Sequence, residues 1–147
     1  MVWGENSPNA KVGLLNLAIV ELNIGRAQVA LDRLSSARPW FVEHMAGELG
    51  PIVQSIDFQR ARALTALGRV SEAMPILARL EPQALEKGSP SNDWTWILQA
   101  EKGKALLRLG KTLEARTLLH QAIKQMEGLG TSTWTLNNYR RALDKAQ

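Results

Sequence analysis

The chain contains no cysteine and only two histidines. Without cysteine it forms neither a disulfide framework nor a thiolate metal site, and a reducing compartment is the expected location. Its two histidines, His44 and His120, are too few for a metal site. The sequence also lacks a glycine-rich phosphate loop and a nucleophile elbow. We therefore predict a protein that is not an enzyme and that needs no cofactor or metal.

Long apolar runs are missing as well. The longest one, Val12 to Gly25, is interrupted by Asn16, Glu21 and Asn23 and is too short to span a membrane. It has neither the basic start nor the cleavage site of a signal peptide. No stretch alternates polar and apolar residues, so no β-strand is predicted. These absences favour a cytoplasmic, all-helical protein with no membrane partner, whose net charge of +4 permits an acidic partner.

What the chain does contain is one pattern that occurs three times, as NIGRAQVA, ALGRVSEA and RLGKTLEA. Each copy has a glycine followed by a basic residue, an alanine five residues after the glycine and a small residue seven residues before it. The residues of this skeleton are Ala18, Gly25, Arg26 and Ala30 in repeat 1; Ala61, Gly68, Arg69 and Ala73 in repeat 2; and Gly103, Gly110, Lys111 and Ala115 in repeat 3. The glycines are 43 and 42 residues apart, which indicates an internal repeat.

The skeleton predicts a helical hairpin in each repeat. A glycine just past a helical run adopts the left-handed conformation at little cost, so it ends the first helix and turns the chain. The small residues then lie where the two antiparallel helices cross, because only small side chains let the backbones approach closely. Ser71 is the expected N-cap of the fourth helix, and Pro39 and Pro82 are expected to kink or break the second and fourth. The predicted helices lie near residues 8–24, 27–49, 52–67, 71–87, 92–109, 112–128 and 132–146.

This skeleton resembles that of tetratricopeptide-repeat (TPR) proteins over nearly the whole chain. The ordinary period of that family is about 34 residues, and the longer period here is similar to repeats of kinesin light chains and of the C-terminal regions of bacterial signalling kinases and transcription activators. The resemblance implies an all-α, right-handed α-solenoid of three hairpins and a C-terminal capping helix. Residues 1–147 would form a single domain with repeats at about 8–49, 51–88 and 92–130 and a capping helix at 132–146.

Repeats 2 and 3 depart from the family pattern at two positions of the first helix. Numbered from the turn glycine, positions −11 and −8 usually hold large apolar residues, and in repeat 1 they are Leu14 and Leu17. The same positions hold Asp57 and Arg60 in repeat 2 and Gln99 and Lys102 in repeat 3. These polar residues leave open which helix face is buried in the two repeats.

The resemblance also implies a concave groove, lined by the first helices, that receives a peptide or a partner domain. Carried over by position, the partner-binding residues are Ser55, Phe58, Arg62, Ile97, Lys104, Leu107 and Arg108. Arg62, Lys104 and Arg108 would hold the carboxylates of an acidic peptide, and Phe58 would offer an apolar platform. The alternative is that these charges are solvated or paired on the helix surface.

The implied function is a non-catalytic protein-interaction scaffold, expected to be the C-terminal part of a larger bacterial signalling or regulatory protein. The alternative is a nucleic-acid-binding helical repeat, suggested by an isoelectric point of about 9.8 and by the basic and aromatic residues of YRRAL at 139–143. Against it, acidic residues are interleaved with the bases throughout, so the scaffold is favoured.

Two further features suggest contact surfaces. The first helix is apolar nearly all round, and an N-terminal contact face of Val12, Leu15, Ile19 and Leu22 would be covered by a preceding domain or by a second copy in a homodimer. The alternative cover is the leading segment, with Val2 and Trp3 as a lid. The five tryptophans are expected either to pack between consecutive hairpins or to form a docking surface around residues 92–96.

Overall fold

A computed structural model describes residues 7–87 and 93–146 of the chain. Within these residues the chain forms seven α-helices and no β-strand, which confirms the predicted all-α class. The helices are α1 Pro8–Asn23, α2 Ala27–His44, α3 Pro51–Ala66, α4 Val70–Lys87, α5 Asp93–Arg108, α6 Thr112–Gly128 and α7 Thr133–Lys145. A short 3₁₀ helix, Gly47–Leu49, lies between α2 and α3.

The helices are grouped in two compact units, Met1–Arg69 and Val70–Gln147. In the first unit, α2 packs against both α1 and α3. In the second unit, α5 packs against α4 and α6, and α7 packs against α6. The boundary between the units falls directly after the turn of repeat 2.

The three skeleton glycines end their helices in the predicted conformation, with φ of +89° at Gly25, +77° at Gly68 and +78° at Gly110. In each turn the glycine N–H donates to the carbonyl three residues before it, and the next N–H donates to the carbonyl five residues before it. At Gly110 both bonds are 3.0 Å long. This pair of bonds is the Schellman motif, which satisfies carbonyl groups that the end of a helix leaves unpaired. The following helix begins one residue after the base.

The small residues of the skeleton lie in the interior, as the hairpin model predicts. The five alanines are fully buried, and Gly103 is buried in α5. A Cβ atom on Gly103 would lie 2.8 Å from Cγ of Leu119 in α6, closer than real Cβ contacts. Leu119 is itself fully buried and cannot swing aside freely. The crossing of α5 and α6 therefore requires a residue without a side chain.

The connection between repeats 1 and 2 differs from its predicted form. The second helix ends at His44 and not near residue 49, because Ala46 and Gly47 both take the left-handed conformation, with φ of 65° and 68°. Gly50, which directly follows the predicted second helix, is the N-cap of α3 and precedes Pro51 at the first helical position. The fixed φ of proline suits that position, where its missing N–H would be unpaired in any case.

Prolines inside two helices do not interrupt them. Pro39 lies within α2, and Pro75 and Pro82 lie within α4. All three are exposed, so the carbonyl that each one leaves without an N–H partner can bind water. Helix α4 begins at Val70, which places Ser71 inside the helix and corrects its expected role as N-cap.

Substitution of Gly103 tests the crossing. Gly103→Ala is expected to lower the free energy of unfolding by about 1–3 kcal/mol, since the added methyl group overpacks the contact with Leu119. Gly128→Ala is the control, because a Cβ there meets nothing within 4 Å. It should be neutral or stabilise by up to about 1 kcal/mol. Equal urea unfolding curves for both variants would contradict the close approach.

Candidate functional site

The polar residues of repeat 2 that depart from the family pattern form an ion-pair cluster with α2. Asp57 is 2% exposed and accepts two bonds from Arg38, from Nε to Oδ1 at 2.7 Å and from Nη2 to Oδ2 at 3.0 Å. Arg60 donates to the same carboxylate at 3.1 Å and to the hydroxyl of Ser35 at 3.3 Å. Arg38 also pairs with the exposed Glu48 at 2.5 Å. Its bonds to the Asp57 carboxylate raise the pKa of Arg38 further above its already high value.

The corresponding residues of repeat 3 meet α4 at the same position. Gln99 donates to Oε1 of Glu81 at 2.6 Å, and Nζ of Lys102 lies 3.5 Å from the same atom. Glu81 is thirteen residues after Gly68, just as Arg38 is thirteen residues after Gly25. In both units, therefore, position −11 of a first helix contacts position +13 of the second helix before it. Position −8 contacts that same residue in repeat 3, whereas Arg60 of repeat 2 reaches Ser35 at position +10. The side of α3 and α5 that carries positions −11 and −8 is the side that faces the preceding helix.

Arg62, a predicted partner-binding residue, is held by two neutral groups. It is half-buried at position −6 of repeat 2. Its Nη1 donates to Oε1 of Gln59 at 2.7 Å, and its Nη2 reaches Oδ1 of Asn23 on α1 at 3.4 Å. Among the described residues no carboxylate pairs with it, so these bonds orient the guanidinium without neutralising its charge.

Lys104, at position −6 of repeat 3, has a different environment. Its Nζ lies 3.8 Å from Oε1 of Glu101, which is within ion-pair range but too long for a hydrogen bond. Glu101 is fully buried, and its Oε2 accepts a bond of 3.0 Å from the hydroxyl of Tyr139 in α7. Nζ of Lys104 also lies 5.7 Å from the centroid of the Tyr139 ring. The charge of Lys104 is therefore largely compensated within the second unit.

The other predicted partner-binding residues differ in exposure. Phe58 is only 6% exposed, so it packs in the interior of the first unit and does not present an open platform. Ile97 is partly buried against the core cluster of the second unit. Ser55 and Leu107 are half-buried, and Arg108 is exposed at the end of α5. Arg62 belongs to the first unit, and Lys104 and Arg108 belong to the second.

The four residues of the predicted N-terminal face are mostly covered. Leu15 and Leu22 are buried, each 9% exposed, and Val12 and Ile19 are half-buried. The large apolar side chains that are exposed in or directly after α1 are Leu17, Val20 and Ile24. The open apolar surface of α1 thus lies on a different side of the helix from the predicted face.

An ion pair joins the two helices of repeat 1 near their turn. Glu21 is 7% exposed and accepts two bonds from Arg33, at 2.9 Å from Nε and 2.8 Å from Nη2. Hydrogen bonding from Arg33 lowers the pKa of Glu21, and the nearby charge of Arg26 acts in the same direction. This bidentate pair fixes α1 against α2 at the end of the helix that carries Asn23.

The partners of the two −6 bases could have been found in the sequence. Gln59 and Glu101 both occupy position −9, three residues before Arg62 and Lys104, and residues at that spacing are neighbours on a helix. The amide of Gln59 beside Arg62 and the carboxylate of Glu101 beside Lys104 therefore give the two bases different partners. Asn23 and Tyr139 come from other helices, and no spacing along one helix identifies them.

Other candidate sites receive little support from the geometry. Among residues 7–87 and 93–146, no three His, Asp or Glu side chains are grouped as a metal ion would require. Of the tryptophans that the structure describes, Trp96 packs against the core cluster of the second unit, Trp40 stacks on His44 at 4.5 Å, and Trp134 is 58% exposed. Trp3 lies outside the described residues. No described helix is both long enough and apolar enough to cross a membrane.

Comparison with known proteins leaves these contacts as the basis for assigning a function. A scan against protein-family models finds no match, and a search of curated proteins finds no significant relative.

Removal of Arg38 tests the first inter-repeat contact. Arg38→Met should lower the free energy of unfolding by about 1–3 kcal/mol, because the buried Asp57 loses its bidentate partner, while Arg60 still donates to it. The double variant Arg38→Met/Asp57→Leu should recover most of this loss, since it replaces both charges by apolar groups. If the double variant is no more stable than the single one in urea unfolding, the buried carboxylate is not the cause.

The Glu21–Arg33 pair should make stability depend on pH. The folded-state pKa of Glu21 lies below the ordinary value of 4.5, so its contribution is present above that value and is lost as pH falls through the folded-state pKa. Glu21→Gln should therefore be less stable than the wild type at pH 7, and the difference should shrink below about pH 4. Thermal unfolding of both proteins across this range checks the sign, and a constant difference would contradict it.

Proposed function

We propose that the chain is a non-catalytic, TPR-like scaffold that binds an acidic segment of a partner protein through the first helices of its repeats. The observation that carries this proposal is the environment of Arg62, whose guanidinium is oriented by two neutral amide oxygens. A half-buried cation without a counter-ion among the described residues favours a carboxylate, since each charge-assisted hydrogen bond contributes about 1.5–3 kcal/mol. The planar fork of arginine suits a bidentate contact.

The three bases predicted from the sequence differ in how far their charge is available to a partner. Arg62 retains its charge, whereas Lys104 is paired with Glu101. Arg108 is exposed at the last turn of α5, where a charge contact is screened by solvent. The first unit, through Arg62, therefore supplies the anchor of the proposed site.

An interaction scaffold also agrees with the repeat pattern. The hairpin turns and buried small residues of the skeleton are structural, so they leave the outer faces of the first helices free to vary. Repeat arrays present such faces as extended surfaces that receive peptides and partner domains.

Binding of acidic peptides tests the proposal. The probes are fluorescein-labelled peptides of about twelve residues rich in Asp and Glu, each with a matched peptide in which Asn and Gln replace the acids. The acidic members should bind preferentially, and Arg62→Gln should weaken the tightest of them about tenfold or more. Lys104→Gln should have a smaller effect, because Glu101 already compensates that charge.

Arg141→Gln is the matched control, since it removes the same charge from an exposed position of α7. Equal weakening in Arg62→Gln and Arg141→Gln would show general charge attraction and would contradict a site at Arg62. Labelled oligonucleotides are measured in parallel at about 50 and 200 mM salt. Tight oligonucleotide binding that collapses with salt, without peptide binding, would favour the nucleic-acid alternative.

A further inference from the structure

Equivalent positions in the three first helices differ sharply in burial. Position −5 is fully buried as Ala63 in repeat 2 and as Ala105 in repeat 3, but it is 53% exposed as Val20 in repeat 1. Position −12 behaves in the same way, because Ile56 and Leu98 are 0% and 2% exposed. The residue there in repeat 1 is an exposed glycine. The helix surface that is buried in repeats 2 and 3 is therefore exposed in repeat 1.

The other two repeats show what covers this surface. Helix α2 packs against α3, and α4 packs against α5. In both cases position +13 of the covering helix meets position −11 of the covered one, through Arg38 in the first unit and Glu81 in the second. Position −8 meets Ser35, at position +10, in the first unit and Glu81 in the second. The cover is thus a second helix of the α2 and α4 type, and its charge at position +13 matches the polar residues opposite.

In repeat 1 the same two positions are apolar. Leu14 is half-buried and Leu17 is 44% exposed. Leu14 and Val29 line a depression of about 400 Å³ between α1 and α2. The remaining lining residues are Lys11, Asp32, Arg33, Ser36 and Ala37. The open face therefore combines exposed leucine and valine side chains with a recess into which apolar side chains fit.

We propose that the face of α1 formed by Leu14, Leu17 and Val20 binds an amphipathic helix of the α2 and α4 type that carries an apolar residue at the position equivalent to Arg38 and Glu81. A helix with a charge there would bury it against two leucines without a partner, which is strongly unfavourable. An apolar residue would instead remove the leucines from water and contribute to binding. The inference does not use the charge of Arg62, so it does not depend on the proposed acidic-peptide site.

A synthetic helix taken from the chain itself provides the probe. It is an acetylated, amidated and labelled peptide with the sequence of residues 27–44 and the change Arg38→Leu, compared with the same peptide that retains Arg38. Fluorescence anisotropy with the intact protein should show the leucine peptide binding about tenfold more tightly or better. Equal affinity of the two peptides would overturn the proposed chemistry of the partner helix.

The location is tested with protein variants. Leu17→Lys/Val20→Lys changes two exposed residues and should preserve the melting temperature while abolishing binding of the leucine peptide. Leu113→Lys is the control, because Leu113 is an exposed leucine on α6, 73% exposed, and its replacement should leave binding unchanged. Binding that survives Leu17→Lys/Val20→Lys would overturn the assignment to α1.

Sedimentation velocity of the protein without peptide distinguishes another occupant. The proposal expects a monomer. A dimer that disappears in Leu17→Lys/Val20→Lys would show that a second copy of the chain covers the face, and it would overturn the choice of a separate helix.

Discussion

The left-handed turn at the skeleton glycine is the constraint on which each hairpin depends. It pairs the last carbonyls of the first helix and lets the second helix begin only two residues later. In repeat 3 the two helices cross near the turn, where Gly103 at position −7 lies against Leu119 and the backbone oxygen of Ala115 at position +5. The small residues at those positions then determine how closely the backbones approach, as the contact between Gly103 and Leu119 shows. Helix direction, spacing and the hairpin core all follow from one backbone conformation.

Much of this local structure could be predicted from the sequence because it depends on residues near one another in the chain. The glycine, the following base and the small residues lie within thirteen residues, so their spacing alone indicates the hairpin. The burial and the partners of the polar residues at positions −11 and −8 could not be predicted in this way. Asp57 is buried because Arg38, nineteen residues earlier, reaches it from another helix. The early end of α2, at His44, could not be predicted either, because Ala46 takes a left-handed conformation that alanine rarely adopts.

The sequence predicts the repeat positions of the candidate binding residues but not the charged and polar groups that surround them. Arg62 and Lys104 occupy the same position of successive repeats, and the sequence treats them as equivalent bases. Their surroundings separate them, since Gln59 and Asn23 leave one charge uncompensated and Glu101 compensates the other. The residue at position −9 thus changes the charge that a helix surface presents without changing the fold. Phe58 shows the opposite limit, because its large apolar side chain is used for the core and is lost to any ligand.

The charges at the two +13 positions are opposite, and each one suits the helix that it faces. Arg38 is matched to the acidic Asp57, whereas Glu81 is matched to Gln99 and Lys102. If α2 took the place of α4 against α5 during folding, Arg38 would face Lys102, and two cations would be brought together in a partly buried setting. Helices of similar repeats can otherwise exchange places during folding, because the repeats share one backbone geometry. The opposite charges at position +13 therefore disfavour exchange of α2 and α4 between their neighbours.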